Sequence, residues 1–490
     1  MAKKVAKKKK EETLTLEQVL WNCRVALRGV GSIEKNRDAI INLVFLKFAS
    51  DKFYKQREYI KNVYKKKMKC EDDSNILDTP CFYTADSVFY LPEECRWETI
   101  SDNASATDIA VRIDKAMKMV MDINPELQGT LQNNLFVSLG ASKEKIKDLV
   151  DAVSRIDEKY FQEEDLIGRV YEYFLKSFAA SASKEDGEFY TPSCVVQLIA
   201  ELIQPFDGTV YDPCCGSGGM FVQSKKFVES HNGNFKNISV LGQESQAETW
   251  RLARLNLAIR GISNNLGKVN ASTFTDDQHR GRKVDYIMAN PPFNLKDWRK
   301  EDQLTDDYRF KPFGNPPPAS NANYAWILHM LSKLDRNDGI AGFLLANGAL
   351  KPDGVEMDIA CQLVEKDKVE AIIVLPRDMF YTTDISVTLW IINQNKKANV
   401  VHQRSLRDRR GEVLFVDLRT WNENIDTITI DKGKSKKKVV LTPEQIARVR
   451  DLYFDWQGFG DCGYKDVPEL CKSVKIADIV KIVKDGDGKE

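Results

Sequence analysis

The stretch GTVYDPCCGSGG, residues 208–219, decides the fold that this sequence predicts. It starts as an apolar strand ending at Asp212 and leads through a glycine-rich turn into a helical pattern that begins at Met220. Glycines let the backbone turn sharply and approach a ligand closely. A plain strand-to-helix turn would also contain glycines, and a dinucleotide-binding enzyme would show GxGxxG here. Because Asp-Pro comes first and Gly-Ser-Gly follows, we interpret the turn as a site for a ligand with an ammonium group and a ribose but no pyrophosphate.

The sequence around this stretch alternates between strand-like and helix-like segments. The strand-like runs are TVYDPCC, SVLGQES, VDYIMANPP, GIAGFLLA, VEAIIVLP and SVTLWIINQ, and helical patterns at 220–228, 247–259 and 324–334 lie between some of them. This alternation predicts an α/β fold with a doubly wound sheet. Since the runs around Ile372 and Leu389 have only a short connection, we expect the last strand to be antiparallel. One more strand, VLFVDL, and a polar lysine-rich segment precede a helical tail from Pro443.

The first third of the chain has a different character, because its apolar residues recur at helical spacing. We therefore predict four regions: a disordered basic tail at 1–12, a mainly helical N-terminal domain at 13–180, an α/β domain at 181–420, and a C-terminal extension with a helical tail at 421–490. Within the helical domain the clearest patterns cover 15–60, 109–121, 146–156 and 166–178, and 70–97 is less regular.

Composition excludes several classes of protein. No run of about 18 apolar residues occurs, so we predict no membrane span, and the basic start MAKKVAKKKKEE lacks the apolar segment of a secretory signal. Ten cysteines without a CxxC pair and only four histidines indicate thiols in a reducing cytoplasm and no metal site. Lys+Arg and Asp+Glu number 72 each, so contacts to DNA would need local basic patches or a partner.

An acidic residue ends the second strand-like run, in Gly242-Gln243-Glu244. Taken alone, such a residue is more often a helix cap or a solvated side chain. Glu244 lies one βαβ unit after the glycine turn, where a carboxylate can accept hydrogen bonds from both hydroxyls of a ribose.

The sharpest motif is Asn290-Pro291-Pro292-Phe293, which follows the strand-like run VDYIMA. The N6 amine of adenine is a poor nucleophile because its lone pair is delocalised into the ring. The Asn290 amide oxygen and the Pro291 carbonyl can each accept one N–H bond and steer the nitrogen towards tetrahedral geometry. Phe293 offers a stacking face for a base swung out of the duplex. A proline-rich turn that merely ends a strand is the purely structural interpretation of the same residues.

A further motif, Gly187-Glu188-Phe189-Tyr190-Thr191-Pro192, precedes all of these. A Thr-Pro pair at the start of a helix is often only a cap. An aromatic ring and a hydroxyl at this position could equally close over a cofactor.

The order FYTP, DPCCGSGG, NPPF resembles the amino-methyltransferases of the gamma arrangement, in which the cofactor segments precede the catalytic one. Within that group it resembles the modification subunits of Type I restriction–modification systems. Two further stretches carry the resemblance: the helical pattern from Leu20-Trp21 to Phe45–Phe48 with Ser50-Asp51, and IVLPRDMF at 373–380. The likeness covers roughly residues 14–460.

The resemblance implies that 181–420 is a SAM-dependent methyltransferase domain that methylates adenine N6 in double-stranded DNA. Asp212, Gly216 and Gly218 would hold the methionine part of S-adenosyl-L-methionine (SAM), and Glu244 its ribose. The implied cofactor-binding residues are Tyr190, Thr191, Pro192, Asp212, Pro213, Gly216, Ser217, Gly218, Glu244 and Ser272, and the implied catalytic residues are Asn290, Pro291, Pro292 and Phe293. No covalent nucleophile is implied, because Cys214 and Cys215 lie in the cofactor loop.

The chain departs from the family pattern at two places. Relatives usually have an Asp after the third strand that contacts the adenine amine of the cofactor, and in Asn270-Ala271-Ser272-Thr273-Phe274 it is Ser272 that stands in its place. Relatives often end in a Tyr-Gly-rich tail that bears on docking of the specificity subunit, whereas this sequence ends in IADIVKIVKDGDGKE.

The partners that the resemblance implies are double-stranded DNA, a specificity subunit that sets the target sequence, a second copy of the modification subunit, and a separate restriction/translocase subunit. No GxxxxGK[ST] occurs, so we expect no ATP hydrolysis by this chain. A solitary DNA amino-methyltransferase is a second hypothesis, but 294–323 is only loop-sized and holds no recognition domain. A glutamine or ribosomal-RNA methyltransferase, a cytosine-N4 enzyme and a catalytically lapsed interaction subunit also share features with this sequence.

Overall fold

The computed structural model describes residues 14–68, 74–86, 88–156, 173, 191–380, 384–431, 434–458 and 463–480. The chain forms two compact units, one of residues 1–175 with 258–261 and one of residues 176–257 with 262–490. Three predicted features lie outside the described residues: the basic tail at 1–12, the helix at 166–178 apart from Tyr173, and the segment 187–190 with its cofactor candidate Tyr190.

The first unit is helical throughout its described part. Its helices are α1 (Leu16–Ala26), α2 (Ile33–Met68), α3 (Ser74–Leu77), α4 (Cys81–Thr84), α5 (Trp97–Asp102), α6 (Ile109–Ile123), α7 (Leu135–Ser138) and α8 (Lys143–Ser154). Helix α1 begins with a capping box, in which Thr15 and Gln18 each accept a hydrogen bond from the other's backbone N–H. Apolar residues of α1 at helical spacing, such as Leu16, Leu20 and Cys23, are buried.

A buried carboxylate fixes part of this unit. Asp114 on α6 accepts hydrogen bonds from the backbone N–H groups of Phe136 (3.0 Å) and Val137 (2.9 Å) in the first turn of α7. Burial raises the pKa of Asp114. Free N–H groups at a helix start favour a negative charge, so this contact sets where α7 begins.

The second unit is built on a sheet that has nine strands in the described residues, in the order β13-β10-β6-β7-β5-β4-β1-β2-β3. The strands of this sheet are β1 (Gly208–Asp212), β2 (Ile238–Gly242), β3 (Asn264–Asn265), β4 (Tyr286–Ala289), β5 (Ile340–Ala346), β6 (Val369–Val374), β7 (Val387–Asn393), β10 (Glu412–Asp417) and β13 (Cys471–Lys475). Two hairpins lie outside it, β8 (Asn399–Val401) with β9 (Arg404–Leu406), and β11 (Ile425–Asp431) with β12 (Lys434–Val439). Strand β7 runs antiparallel to both β5 and β6, as predicted.

Helices cover both faces of this sheet and create two apolar layers. The helices are α9 (Ser193–Ile203), α10 (Gly219–Ser230), α11 (Ala247–Ile259), α12 (Asn323–Lys333), α13 (Gly354–Glu365), α14 (Pro443–Trp456) and α15 (Ile476–Ile479). One layer includes Ile199 of α9 and Phe221 of α10, and the other includes Trp326 and Met330 of α12. The predicted α/β class with a doubly wound sheet and a helical N-terminal region is therefore confirmed.

Three elements differ from what the sequence pattern indicates. Helix α13 lies between β5 and β6, where we assign no helical pattern from the sequence. The lysine-rich segment 434–439 pairs as strand β12 with β11. The C-terminal part adds strand β13 antiparallel to β10 at the end of the sheet, so residues after 420 belong to the same sheet as the predicted α/β domain.

Candidate active site

The candidate active site lies where the strand order of the sheet reverses. Strand β1 has β2 on one side and β4 on the other, with both pairs parallel. Ligands of doubly wound sheets bind at such switch points, beyond the carboxyl ends of the strands. Asp212 ends β1, Glu244 follows β2 and Asn290 follows β4. The topology therefore brings three predicted segments, far apart in sequence, to one edge of the sheet.

The glycine turn after β1 adopts a backbone that requires glycine. Gly216 and Gly218 have φ angles of 51° and 80°, which other residues rarely adopt. A side chain at Gly216 would meet no atom within 4 Å, so open space lies beside its Cα. The Cys215 N–H donates to the Gln243 carbonyl at 2.9 Å and anchors the turn to the end of β2.

Asp212 is a buried carboxylate at the end of β1. Its side chain accepts a hydrogen bond from the Cys214 N–H at 3.0 Å, and the residue is 2% exposed. No ion pair joins it to a Lys, Arg or His among the described residues. Burial raises the pKa of Asp212 to about 7, against the opposing effect of the Cys214 hydrogen bond. A desolvated carboxylate of this kind fits a cationic ligand such as an ammonium group.

Glu244 joins the two loops above β1 and β2. One of its carboxylate oxygens accepts from the Gly216 N–H at 3.1 Å, and the other accepts from the Gln246 N–H at 2.8 Å. The carboxylate predicted to hold a ribose therefore also holds the glycine turn in position.

Ser272 lies in the loop that follows β3, not directly at a strand end. Its carbonyl accepts from the Asp276 N–H at 2.8 Å. Next to it, the Thr273 hydroxyl donates to the Pro213 carbonyl after β1. The loop that carries Ser272 is thus fixed against the loop of Asp212.

Gln243 was not among the site residues predicted from the sequence. Its side chain holds the loop after β3 that carries Ser272. The side chain of Gln243 is buried, and its Nε2 donates to the carbonyls of Ala271 (3.1 Å) and Asp276 (2.6 Å). Its Oε1 accepts from the Gln278 N–H at 3.2 Å. The signal in the sequence was a polar residue between Gly242 and Glu244 at the end of an apolar strand.

Arg309 was also missed, because it lies in a segment that looks like a plain loop. Its guanidinium is buried and donates to the carbonyls of Thr273 (3.0 Å) and Phe274 (2.6 Å). It forms an ion pair with Asp307 at 2.7 Å and contacts His329 at 3.2 Å. Burial and the Arg309 charge lower the pKa of His329 well below its usual value, so this imidazole is neutral.

The side-chain amide of Asn290 has a hydrogen-bond partner for its nitrogen but, among the described residues, none for its oxygen. Its Nδ2 donates to the Thr191 hydroxyl at 2.9 Å. Its Oδ1 is shielded from solvent and accepts no hydrogen bond from any described residue. Because a buried acceptor without a donor is costly, this oxygen marks a place where a ligand N–H would be stabilised. The contact also places Thr191 beside the predicted catalytic motif, whereas the sequence assigned it to the cofactor.

The rest of the NPPF motif is packed into the protein. Pro291 and Phe293 are buried, and the Phe293 ring meets Phe380 edge-on at 5.9 Å between ring centres. The turn then closes at Asn294 in left-handed conformation (φ 53°), which exchanges two hydrogen bonds with Asn323. Phe293 presents no open ring face to solvent, so a base could stack on it only after entering the protein.

The two cysteines of the glycine turn are poor nucleophiles. Burial raises the pKa of the Cys214 and Cys215 thiols well above their usual value, and the charge of Asp212 adds to this. Because the thiolate is the reactive form, the site is not built for covalent attack by sulfur.

Pro192, another residue predicted to bind the cofactor, directly precedes helix α9.

Known proteins match both units of the chain. The sequence model of the N-6 DNA methylase family matches residues 162–484, and that of the HsdM N-terminal domain matches residues 16–156. The type I restriction enzyme HindI methylase subunit of Haemophilus influenzae is 36% identical over an alignment of 411 positions that covers 79% of this chain and 86% of that protein. The chain belongs to the type I restriction methylase subunits.

Two further relatives of this methylase subunit support the same family and fold. The MjaIX methylase subunit of Methanocaldococcus jannaschii is 30% identical over 97% of this chain and 83% of its own length. The crystal structure of a type I methyltransferase subunit from Streptococcus thermophilus has the same fold, with a TM-score of 0.75 at 21% identity over 94% of this chain and 96% of that one. The predicted family and the predicted activity, adenine-specific DNA methyltransferase and modification subunit, are confirmed.

The described part of this methylase subunit has neither a membrane-spanning helix nor a metal-binding cluster. None of the helices there combines the length and the apolar character needed to cross a membrane. No three His, Cys, Asp or Glu side chains there are grouped so that they could hold a metal ion.

Proposed function

We propose that this methylase subunit transfers the methyl group of SAM to adenine N6 at the edge of the sheet formed by β1, β2 and β4. The observation that carries this assignment is the buried, unpartnered Oδ1 of Asn290 at the end of β4. An N–H of the target amine supplies the donor that this oxygen lacks. The same edge carries Asp212 and the open glycine turn, so one site accommodates both reactants.

The residues at the glycine turn fit SAM. Asp212 is a buried carboxylate without a cationic partner in the described chain, which suits the ammonium of the methionine part. Gly216 leaves room for close approach, and Glu244 lies next to it as an acceptor for ribose hydroxyls. We assign Thr191, Pro192, Pro213, Ser217, Gly218 and Ser272 to the same site, together with Tyr190, which lies outside the described residues.

The chemistry of the chain itself centres on hydrogen bonding to the amine. SAM supplies a methyl group on a positively charged sulfur. Asn290 Oδ1 accepts one N–H of adenine, and the Pro291 carbonyl accepts the other. Two acceptors at fixed positions pull the amine out of the plane of the base and direct its lone pair, which stabilises the transition state more than the ground state. The hydrogen bond from Asn290 Nδ2 to the Thr191 hydroxyl holds the amide in place and leaves its oxygen available to the amine.

The target adenine must leave the duplex to reach this site. Asn290 Oδ1 is buried and Phe293 lies inside the protein, so a stacked base cannot contact them. A flipped adenine would place its N6 at Asn290 and its ring near Phe293, with Pro292 completing the wall.

We further propose that the target sequence is set by a separate specificity subunit. The segment between Phe293 and α12 is a loop held by Arg309 and Trp298, and it contains no recognition domain. The complex would contain double-stranded DNA, a second copy of this chain and, for cleavage, a restriction/translocase subunit. We place the complex in the cytoplasm, where reduced thiols persist; the described cysteines are free.

Tritiated-methyl transfer from SAM to DNA tests this function. The full chain is assayed alone and together with the specificity subunit encoded beside it, and the labelled base is identified. We expect label on adenine N6 only when the partner is present. Label without the partner would identify a solitary enzyme, and SAM binding without label on any DNA would contradict the assignment.

A further inference from the structure

The second unit contains a cavity of about 580 Å³ whose lining shares only Arg309 with the residues described at the candidate active site. Lys283 precedes β4, Arg336 precedes β5, and Lys368 directly precedes β6. These three strands run in the same direction. The cavity therefore lies at the amino ends of the strands, whereas Asn290 follows the carboxyl end of β4.

Six of the fourteen residues that line this cavity are cationic, and no Asp or Glu of the described chain lines it. The cationic lining residues are Arg282, Lys283, Arg309, Lys333, Arg336 and Lys368. Two of them have carboxylate partners nearby: Arg309 pairs with Asp307 at 2.7 Å, and Lys333 pairs with Asp277 at 2.6 Å. The remaining four form what we call the cation cluster: Arg282, Lys283, Arg336 and Lys368.

No carboxylate of the described residues is hydrogen-bonded to the cation cluster. Lys283 donates to the carbonyl of Ser332 and Lys368 donates to the amide oxygen of Gln394, and neither acceptor carries a charge. The guanidinium groups of Arg282 and Arg336 make no hydrogen bond or ion pair with any described residue.

Two carboxylates lie near the cluster without a hydrogen bond to any of its members. Asp335 attracts Lys283 and Asp367 attracts Lys368. Asp335 accepts from the Asn337 N–H at 2.8 Å, and Asp367 pairs with Lys396 at 2.5 Å. Burial lowers the pKa of Lys283, and Arg336 adds to this. A negatively charged ligand would stabilise the ammonium groups in a cavity that holds them partly away from water.

The other walls are apolar or aromatic. Tyr308, Phe313, Leu328 and Leu331 belong to this part of the lining. A pocket of several hundred Å³ with an aromatic wall and a few converging charges is typical of small-molecule sites. The combination of aromatic surface and Arg and Lys side chains suits a heterocyclic base attached to phosphates.

We propose that this cavity binds the phosphate groups of a nucleotide, at a site separate from the one for methyl transfer. The cation cluster holds the phosphates, and the wall with Tyr308 and Phe313 contacts the base. A phosphate of the DNA backbone offers the same charged oxygens, and the experiment distinguishes the two sources.

Isothermal titration of the full chain with ATP and with inorganic tripolyphosphate tests the site. SAM is kept at saturation, so that ATP cannot report on the cofactor site. The test variant is Lys283→Glu with Arg336→Glu, which changes two exposed members of the cluster. The control is Lys236→Glu at an exposed position before β2, outside the cavity. It reverses one charge and is therefore compared with Lys283→Glu alone, which makes the same charge change inside the cavity. SAM affinity of both variants reports that the second unit is folded.

We expect saturable binding of both probes to the wild type and to the control, and about 10- to 100-fold weaker binding to the double variant. If a short DNA duplex displaces the probes, the backbone is the source of the phosphates; if it does not, the ligand is a free nucleotide. Absence of binding to the wild type, or equal affinity of wild type and double variant, would overturn the proposal. Should the double variant lose SAM binding, Lys283→Gln with Arg336→Gln takes its place.

Discussion

The Asn290 side chain is held in place by a residue that is distant in the sequence. The NPPF motif could be recognised from four consecutive residues. The hydrogen bond from Asn290 to Thr191 could not, because the two are 99 residues apart and only the fold brings them together. The sequence consequently assigned Thr191 to the cofactor alone, and the structure adds a contact to the amide of Asn290, the predicted catalytic residue.

Replacing Thr191 by Val tests that contact. Val keeps the shape but removes the acceptor for Asn290 Nδ2, so the amide is no longer held in one orientation. We expect the rate of methyl transfer to fall about tenfold. Because Thr191 is also assigned to the cofactor site, the Kd for SAM should rise as well, but by less, about two- to threefold. Thr191→Ser should restore the rate. Single-turnover kinetics with SAM titrations measure both quantities, and a loss confined to SAM affinity would show that Thr191 acts on the cofactor instead.

Asp212 predicts a dependence of SAM binding on pH. Burial raises its pKa to about 7 in the free protein, and only the ionised carboxylate pairs with an ammonium group. The affinity for SAM should therefore be highest just above pH 7, where the carboxylate is ionised and the ammonium group of SAM is still protonated. It should fall by up to about tenfold per pH unit below pH 7. In Asp212→Asn, which keeps the shape, binding should be weak and independent of pH. Equilibrium dialysis across this pH range measures it, and a flat profile for the wild type would refute the pairing.

Single elements show which parts of the fold can be inferred from local pattern. Strands β1, β2, β4, β5 and β7 and helix α11 follow apolar runs and helical spacing closely, since both faces of the sheet are covered. The order of the strands depends on pairings between distant segments, which periodicity does not encode. Strand β13 lies at the end of the sheet and has only one strongly buried residue, Cys471, so no apolar pattern marked it.

The contacts of the loop after β3 lead to a prediction about stability. It is tied down by the buried side chain of Gln243, and Gln243→Leu would leave the carbonyls of Ala271 and Asp276 without that donor. We expect the free energy of unfolding to drop by about 1–3 kcal/mol and SAM to bind more weakly, because the Ser272 loop loosens. Gln246→Leu, on the same turn but exposed, is the matched control. Denaturant unfolding that leaves Gln243→Leu as stable as Gln246→Leu would contradict this role.

At the scale of the whole second unit, one buried ion pair links three distant segments. Glu370 of β6 and Arg409 are both fully buried and lie 3.1 Å apart. The same carboxylate oxygen accepts from Tyr453 (3.1 Å) and Gln457 (3.0 Å) at the end of α14. Helix α14 is therefore part of the core that supports the sheet, a role that its sequence alone did not indicate.

Removing one partner of this pair should destabilise the unit strongly. Arg409→Met leaves the Glu370 charge buried without its cation, and we expect a loss of about 3–5 kcal/mol in the free energy of unfolding. Arg409→Met with Glu370→Leu should be less destabilised than Arg409→Met alone, since no charge remains. Guanidinium titrations compare the two variants, and a single variant as stable as the wild type would disprove the role of the pair.

The most direct test of the account is the variant Asn290→Ala, assayed in the complete complex for single-turnover methyl transfer and for SAM binding. We expect a rate lower by at least about 10²- to 10³-fold, because an acceptor for the reacting amine is lost. The Kd for SAM should stay within about twofold of the wild type. A collapse of SAM binding, or methyl transfer at the wild-type rate, would contradict the division of labour between Asn290 and the glycine turn.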